Sequence, residues 1–323
     1  MLVTTAITVV RTRSLFAIVM LSGVFSLLSA LLLVTLDAVD VAFTEAAVGA
    51  GISTVLLLGT LALTSRFERP VRRSPLPPLI VVLVTGAALI YGTMDMPNFG
   101  SPEAPAQTHV SPDYIQRSPH EIGVPNIVTG ILASYRGYDT LGETAVVFTA
   151  GIGVLALIRL LRRRRDGEGN TKEGASLMRH HLILRVVTKL LVGLIMLFAL
   201  YVQFHGDYSP GGGFQAGVIM AVAFILYGVV FSLDQVQMVL PPWLVHKLVA
   251  LGVLIYAGTG IYSFFVGFNF LDYSALNPQH PEHGQHYGIL LVELGVGITV
   301  TGVMVAIYYA FAARPPILSD EEW

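Results

Sequence analysis

The chain has 323 residues, of which 54% are hydrophobic and 12% are charged, and its formal net charge is −2. A soluble domain carries about 25% charged residues, so this composition indicates a chain that lies mostly in lipid. The small net charge gives no reason to expect nucleic acid as a partner. The sequence contains no cysteine, which excludes disulfides, thiolate metal sites and cysteine nucleophiles.

Long apolar runs follow one another along the chain, separated by charged segments or by segments rich in Gly and Pro. Four runs contain no Asp, Glu, Lys or Arg: Ser14–Leu36, Ser74–Met94, Tyr208–Leu233 and Leu248–Leu271. Four more carry one or two ionisable groups each, near 41–65, 140–158, 182–204 and 287–313. Because about 20 apolar residues span a bilayer as a helix, we predict an all-α membrane protein with eight transmembrane helices in two four-helix halves.

The positions of the basic residues predict the orientation of these helices, because cytoplasmic loops are enriched in Lys and Arg. Basic residues precede the first run and follow the second, the fourth, the sixth and the eighth. We therefore expect both termini to be cytoplasmic, in a multi-pass protein of the cell membrane. Arg117 and Arg136 are then left on the external side. The first ten residues form an apolar stub ahead of an Arg pair, the reverse of a signal peptide, so no cleavage is expected.

Two long polar segments lie between the apolar runs. The segment Arg162–His181 is charged and contains glycine, which is typical of a linker between the halves. The segment Asp95–Asp139 contains six prolines, too many for one long helix. We predict an external loop there, with a short surface helix over Val124–Tyr135. Loops of this length are commonly functional or interaction surfaces.

Three glutamates occupy similar places in helices that run from the outside inward: Glu45, Glu143 and Glu293. Each is followed by Val at the third position, with glycine and small residues beyond. A carboxylate inside a membrane is costly and often relays protons, and a low dielectric favours its protonated form. We interpret the three as candidate members of an ion or proton path, and we favour Glu45 among them because it lies in an otherwise apolar helix next to Gly49 and Gly51. The alternative is that each reaches the headgroup region and has no role in transport.

Two further ionisable residues are weaker candidates for the same path. Asp139 lies one helical turn before Glu143, so the two acids share a face, although an Asp at a helix start is also a good cap. Lys189 lies one turn after Arg185 on the fifth predicted helix. Its side chain is long enough to reach the cytoplasmic surface, and the alternative is a buried lysine paired with a carboxylate.

A glycine-rich turn joins the fifth and sixth predicted helices, and we expect a structural loop formed by Pro210, Gly211, Gly212, Gly213 and Phe214. Glycine permits tight turns and close helix contacts. No Gly-Lys-Ser/Thr follows, so the turn is not a phosphate loop. His280, His283 and His286 recur at every third position. We interpret them as part of a solvated loop, and we expect neither a metal nor another cofactor in this chain.

Three sequence segments resemble parts of known membrane complexes. Phe204–Gln215, which reads FHGDYSPGGGFQ, resembles the B subunit of the Mrp multisubunit sodium/proton antiporters in its long, fused form. Leu36–Thr54 is similar to the domain shared by the C-terminal part of the antiporter A subunit and the D subunit of membrane-bound hydrogenases. The motifs VSPDYI, GVPNIVT and YRGYDTLGET, within Asp95–Arg159, resemble the hydrogenase E subunit.

This resemblance implies four segments: 1–75, like the hydrogenase D subunit or the C-terminal part of the antiporter A subunit; 76–165, like the hydrogenase E subunit; 166–180, a cytoplasmic linker; and 181–315, the antiporter B domain. It also implies a place in a larger assembly related to the membrane arm of respiratory complex I, with other antiporter subunits, Na⁺, H⁺ and lipid as partners. Within the family, Glu45, Asp139 and Glu143 match the acidic positions of the first two domains.

The sequence therefore predicts a non-enzymatic membrane subunit of a cation/proton antiporter that contributes to the ion path and to assembly. Two alternatives stay open. One is a membrane subunit of an ion-pumping, hydrogenase-type oxidoreductase, whose redox centres would lie in other subunits. The other is a scaffold that conducts no ions. Neutral substitutions at the three glutamates would separate the scaffold from the antiporter subunit.

Overall fold

The computed structural model of the protein describes residues 1–61, 64, 67–68, 74, 76–163 and 182–313. Within these residues every regular element is a helix, which confirms the predicted all-α class. The predicted linker 166–180 lies outside the described residues. In chain order the helices are α1 Leu2–Arg11, α2 Leu15–Thr35, α3 Val39–Leu61, α4 Leu76–Thr93, α5 Ser111–Glu121, α6 Gly137–Arg163, α7 Leu182–His205, α8 Gly213–Phe231, α9 Leu233–Val239, α10 Pro242–Phe265 and α11 Pro281–Ala312.

Eight of these helices are long and apolar enough to cross a membrane, and α1, α5 and α9 are the short ones. The count agrees with the eight spans expected from the apolar runs. The helices alternate in direction, so the connections from 94 to 136, from 206 to 212 and from 266 to 280 gather at one end of the bundle, here called the loop end. The chain is a multi-pass membrane protein.

The centre of the bundle is built by α8, α10 and α11, and glycine permits their close contact. A Cβ atom at Gly217 would stand 2.7 Å from the Gly297 carbonyl oxygen. A Cβ at Gly252 would overlap the carbonyl oxygen of Gly295. Small residues are the usual means by which membrane helices approach, because lipid gives no hydrophobic force between them.

The last helix is long enough to reach beyond the membrane. Its 32 residues rise about 48 Å at 1.5 Å each, whereas the hydrocarbon core is about 30 Å thick. Pro281 opens the helix, where the missing N–H of proline is harmless. The first turns of α11, with His286, can therefore stand at the loop end in contact with water.

The first half of the chain is more open. Helix α2 packs against α3, whose central segment Ala46–Ile52 is a π-helix. Helix α4 contains no buried residue. Helix α6 packs on α11, where a Cβ at Gly151 would stand 2.9 Å from a methyl group of Val303.

The long loop after α4 folds back over the loop end of the bundle. A short helix occupies residues 127–135, as an α-turn followed by a π-helix, where the sequence predicted one over Val124–Tyr135. Asn126 caps it by accepting hydrogen bonds from the N–H groups of Val128 and Thr129. Two buried tyrosines hold this segment: Tyr273 donates to the Ala133 carbonyl and Tyr256 to the Gly137 carbonyl, each at 2.8 Å.

Candidate functional site

The glycine-rich turn between α7 and α8 is shaped by contacts that no larger residue could make. Gly212 has a φ of +125°, a conformation that side chains rarely adopt. A Cβ at Gly211 would stand 2.8 Å from the Val202 carbonyl oxygen, and one at Gly213 would overlap the Glu293 carbonyl. The turn therefore lies directly against the middle of α11.

The carboxyl group of Glu293 is enclosed by this turn. A Cβ at Gly206 would stand 3.1 Å from Oε2, and one at Gly212 would stand 3.1 Å from Oε1. The backbone N–H of Gly213 faces the carboxyl group. The Oε2 atom is buried and has no hydrogen-bond partner among the described residues. A buried oxygen of this kind holds a negative charge at a high cost, so it is suited to accept a proton or a cation.

A second acid of the same turn is also buried. Asp207 is 2% exposed, and its Oδ2 atom lies 2.7 Å from Nδ1 of His286 on α11. Apart from this close approach of His286, neither oxygen of the carboxyl group has a hydrogen-bond partner among the described residues. Burial raises the pKa of the Asp207 carboxyl above its ordinary value, while the charge and hydrogen bond of His286 oppose that rise.

The first half of the chain holds the turn in place. The side-chain amide of Asn126 donates to the carbonyl oxygens of Gly206 and Ser209, both at 3.1 Å, and lies 3.5 Å from Oδ1 of Asp40. The hydroxyl of Thr129 donates to the Gly206 carbonyl at 2.8 Å. The site thus combines residues from α3, from the segment before α6, and from α7 to α11.

Further polar side chains continue from this cluster into the bundle. Gln203 lies on α7 one turn before Asp207, is 6% exposed, and leaves its Nε2 atom without a partner in the described part of the chain. Its Oε1 atom would stand 2.6 Å from a Cβ at Gly297. Gln215, on α8, donates to the Thr44 hydroxyl at 2.8 Å. Polar side chains therefore lie on α7 and α8, on either side of the glycine turn that encloses Glu293.

Glu45 lies apart from this cluster, between α3 and α2. It is half-buried at the start of the π-helical segment. A Cβ at Gly49 would stand 2.7 Å from its Oε1 atom and 2.5 Å from the Ser26 hydroxyl. π-Helical turns are frequent at functional sites, so the position suits a carboxyl group that is not sealed from water.

The two acids at the start of α6 are exposed. Glu143 faces outward from the helix, and Asp139 forms an ion pair with Arg136, with Nε and Oδ2 2.7 Å apart. Asp139 lies in the first turn of α6, where a negative charge is favourable. The structure does not bring either acid to Glu293.

Lys189 lies near the end of the bundle opposite the loop end. Its Nζ atom is 5.6 Å from the centre of the Phe231 ring, and the Arg185 guanidinium is 5.3 Å from the same ring. Two cations over one aromatic ring form cation–π contacts at the junction of α8 and α9. This arrangement is the one expected of a side chain that reaches the membrane surface.

The remaining residues of the predicted structural loop and of the histidine repeat are placed as follows. Pro210 is half-buried within the turn, and Phe214 packs against the central apolar core. The prediction of a solvated loop for all three histidines was wrong, because His283 and His286 lie in the first turns of helix α11. The rings of His280 and His283 are 5.5 Å apart and exposed, whereas His286 faces Asp207. Among the described residues no group of three or more His, Asp or Glu side chains is arranged to hold a metal ion.

Sequence reasoning missed Asp207, His286 and Asn126 as members of the site. A signal was present, since Asp207 is the single acid between the apolar helices α7 and α8, and an isolated acid beside membrane helices is a functional candidate. No local pattern could have paired it with His286, because 79 positions separate the two in the sequence.

Comparison with known families identifies three parts of the chain. Residues 183–306 match the family described as "Domain related to MnhB subunit of Na+/H+ antiporter". Residues 1–66 match the family of the MBH D subunit, and residues 79–173 match that of the MBH E subunit. A relative from Staphylococcus haemolyticus, named "Putative antiporter subunit mnhB2", is 39% identical over 132 residues, which cover 40% of this chain and 93% of that protein. The chain belongs to the MnhB-related family of antiporter subunits.

In this MnhB-related chain the antiporter domain is fused to two domains of the MBH type, as the resemblance implied. A Rhizobium meliloti protein, named as the probable A/B subunit of a K⁺/H⁺ antiporter, is 28% identical over 92% of this chain. The chain spans about a third of that relative, 32% of its length.

Solved structures show the same relationship. The Mrp complex from Dietzia sp. DQ12-45-1b contains a chain that is 27% identical, with a TM-score of 0.77, over 99% of this chain and 34% of that one. The membrane-bound sulfane sulfur reductase, an archaeal respiratory membrane complex, contains a chain that is 27% identical, with a TM-score of 0.56, over 73% of this chain and 97% of that one.

Proposed function

We propose that this chain is a non-enzymatic membrane subunit of a cation/proton antiporter, related to the membrane arm of complex I, and that it contributes to the ion path and to assembly. The observation that carries the proposal is the enclosure of Glu293 by the glycine turn. Its buried Oε2 atom has no hydrogen-bond partner in the part of the chain that the structure describes, and this makes the ionised form costly. A carboxyl group in such a place changes its charge only when a proton or a cation arrives, which is what a carrier site requires.

The exchanged cation is proposed to be sodium. The matching family is described by Na⁺/H⁺ exchange, whereas the Rhizobium meliloti relative is named for K⁺/H⁺ exchange. The described residues near Glu293 offer carboxylate, amide and carbonyl oxygen atoms, which are ligands for either ion. Exchange should therefore be measured with sodium and with potassium.

The other acids are assigned to separate parts of the path. Glu45, half-buried beside a π-helical turn, is a second carrier group. Glu143 and Asp139, exposed at the loop end, form an entrance that is wetted directly. Lys189, at the opposite end, lies where protons or cations leave the membrane. These four residues and Glu293 lie on four different helices, and no pair of described helices connects them all. We therefore expect other subunits to complete the path.

The proposed location is the cell membrane, with both termini cytoplasmic and the loop end external. The charge distribution of the sequence supports this orientation. Single cysteines at Ser101, in the loop after α4, and at Ser176, in the linker, should be labelled from opposite sides of the membrane. Labelling of both from one side would contradict the proposed crossings between them.

The proposal is tested by exchange in vesicles from cells that produce the complete complex. Glu293→Gln keeps the size of the side chain but cannot release a proton, and it should lower the initial rate of cation-driven proton movement by more than about tenfold, or about 1.4 kcal/mol in barrier height. Glu282→Gln, at the exposed start of the same helix, is the matched control and should leave the rate unchanged.

Glu45→Gln should also lower exchange strongly, and Glu45→Asp should retain part of it. Normal exchange by complexes that contain both Gln variants, with assembly confirmed on native gels, would assign this chain to the class of non-conducting scaffolds.

A redox complex is the second candidate, because the sulfane sulfur reductase chain has the same fold over 97% of its length. In that case purification of the tagged chain should recover subunits that contain iron–sulfur or other redox centres. Recovery of antiporter subunits alone, free of such centres, would decide for the antiporter.

A further inference from the structure

We propose that Asp207 and His286 form a proton-exchange station at the loop end, which passes protons between bulk water and Glu293. The proposal rests on the proposed role of Glu293 as a carrier. It adds the step in which a proton from water reaches Glu293. Neither residue is among the ion-path residues predicted from the sequence. Only the fold brings the two together.

The pair joins a side chain in contact with water, His286, to a buried one, Asp207. His286 is 38% exposed at its side chain, whereas Asp207 is 2% exposed, and Nδ1 of the first lies 2.7 Å from Oδ2 of the second. That separation is within hydrogen-bonding distance. Histidine changes charge near neutral pH, so a proton taken from water by the imidazole can pass from Nδ1 to the carboxylate.

The buried side of the pair leads to Glu293. Asp207 follows Gly206, at which a Cβ would stand 3.1 Å from Oε2 of Glu293. The Oδ1 atom of Asp207 and the Oε2 atom of Glu293 are both buried and both lack a hydrogen-bond partner among the described residues. These two oxygen atoms are therefore free to accept a transferred proton, or hydrogen bonds from a bridging water.

The same feature continues into the bundle. The Nε2 atom of Gln203 and the Oγ1 atom of Thr299 are also buried and unpartnered within the described residues. Gln203 lies one turn from Asp207 on α7, and Thr299 lies less than two turns beyond Glu293 on α11. Buried polar groups are nearly always hydrogen-bonded, so a concentration of unpartnered ones along α7 and α11 marks a wet path rather than a packing defect.

The charged groups that surround Asp207 favour proton uptake. From α11 it faces His286 and Glu293, and Asp40 of α3 adds a further negative charge at Glu293. From its own connection the nearest titratable neighbours in sequence are Tyr208 and His205. The segment before α6 contributes the neutral Asn126, whose N–H donates to the Asp207 carbonyl at 2.9 Å. When His286 is neutral, Asp207, Glu293 and Asp40 have no positive charge close by within the described residues. Repulsion among the three carboxylates then favours the protonated form of one of them.

The test compares Asp207→Asn and His286→Gln in the assembled complex, with His283→Gln as the matched control one turn away on α11. Asp207→Asn should lower the initial exchange rate by more than about tenfold. His286→Gln should shift the pH at which exchange is half-maximal, since the group that collects protons from water is lost. His283→Gln should change neither the rate nor the pH profile.

A measurement on the unmodified complex does not depend on the folding of any variant. An apolar carbodiimide reacts with protonated buried carboxyl groups, and mass spectrometry locates the product. Modification is expected at both Asp207 and Glu293, and it should decline at Asp207 as the pH rises. Modification of Glu293 without any at Asp207 over the whole pH range would overturn the station.

The outcomes separate the two proposals. Loss of exchange in Glu293→Gln, with the wild-type rate and pH profile in both Asp207→Asn and His286→Gln, would overturn the station and leave the carrier role of Glu293 in place. Normal exchange in Glu293→Gln would overturn the proposed carrier and the station with it. Loss of exchange in the Glu293 and Asp207 variants, with the pH shift in His286→Gln, is the expected result.

Discussion

The two halves of this chain are similarly apolar, but the most closely packed helices all lie in the second half. More than half of the residues in the most apolar stretches of α8 and α11 are buried, whereas none is buried in the corresponding stretch of α4. The difference lies in what the glycines meet. A Cβ at Gly213 would overlap backbone of α11, while one at Gly86 would meet nothing within 4 Å.

The comparison shows that apolar composition brings a helix into the membrane but does not give it a neighbour. In lipid, helices associate through close packing and through polar contacts. The second half has both, because its glycines admit the backbone of α11 and its turn encloses Glu293. Helix α4 has neither within the described residues, and its surface is left for lipid or for another protein.

The sharpest test of this contrast is the same substitution in both halves. Gly213→Ala should destabilise the protein by about 1–3 kcal/mol, the cost of forcing extra volume into a packed core, and it should displace the turn from Glu293. Gly86→Ala should be neutral or slightly stabilising, because alanine favours a helix over glycine by about 1 kcal/mol. Thermal unfolding of the purified chain in detergent measures both. Equal effects would show that the halves are packed alike.

A buried hydroxyl should matter where an exposed one does not. Tyr273→Phe removes the donor to the Ala133 carbonyl, and a buried polar group left unpaired costs about 1–3 kcal/mol. Tyr91→Phe, on the exposed surface of α4, is the control and should have little effect. Protease cleavage in the segment 94–136 should become faster in the Tyr273 variant. An unchanged cleavage rate would show that other contacts hold this segment.

The stability of the second half should depend on pH through Asp207. Its pKa is raised in the folded state by burial, against the opposing effect of His286, so the native protein binds this proton more tightly than the unfolded chain does. The contribution of this proton to the free energy of unfolding is fully present at low pH, and it is lost as the pH rises through the folded-state pKa. The melting temperature of Asp207→Asn relative to wild type should therefore increase with pH. Asp95→Asn, in the exposed loop of the first half, serves as the control.

The smallest effect is expected at the surface of α6. Asp139→Asn breaks an exposed ion pair with Arg136, and such pairs contribute about 0.2–1 kcal/mol. High salt should remove most of the difference in melting temperature between this variant and wild type. A larger loss that persists in salt would place Asp139 among the buried interactions instead.

Much of the architecture followed from the sequence because lipid imposes strong local rules. Eight apolar runs of sufficient length predicted eight spans, since each span satisfies its own backbone hydrogen bonds. Prolines between 95 and 139 predicted a broken loop with a short helix over Val124–Tyr135, and the structure adds a second helix there, α5 at Ser111–Glu121. The segment Phe204–Gln215 carried the resemblance to the antiporter B subunit, and the family match at 183–306 confirmed it.

The sequence favoured Glu45 among the three glutamates, although the local contexts of Glu45, Glu143 and Glu293 are similar, and it did not single out Glu293. Only the tertiary structure decided that Glu293 is enclosed, Glu45 half-buried and Glu143 exposed. The reason is physical: the environment of a carboxyl group is set by what packs against it from distant parts of the chain. The glycine turn, Asn126 and His286 reach this site from three separate segments, and no local pattern records that meeting.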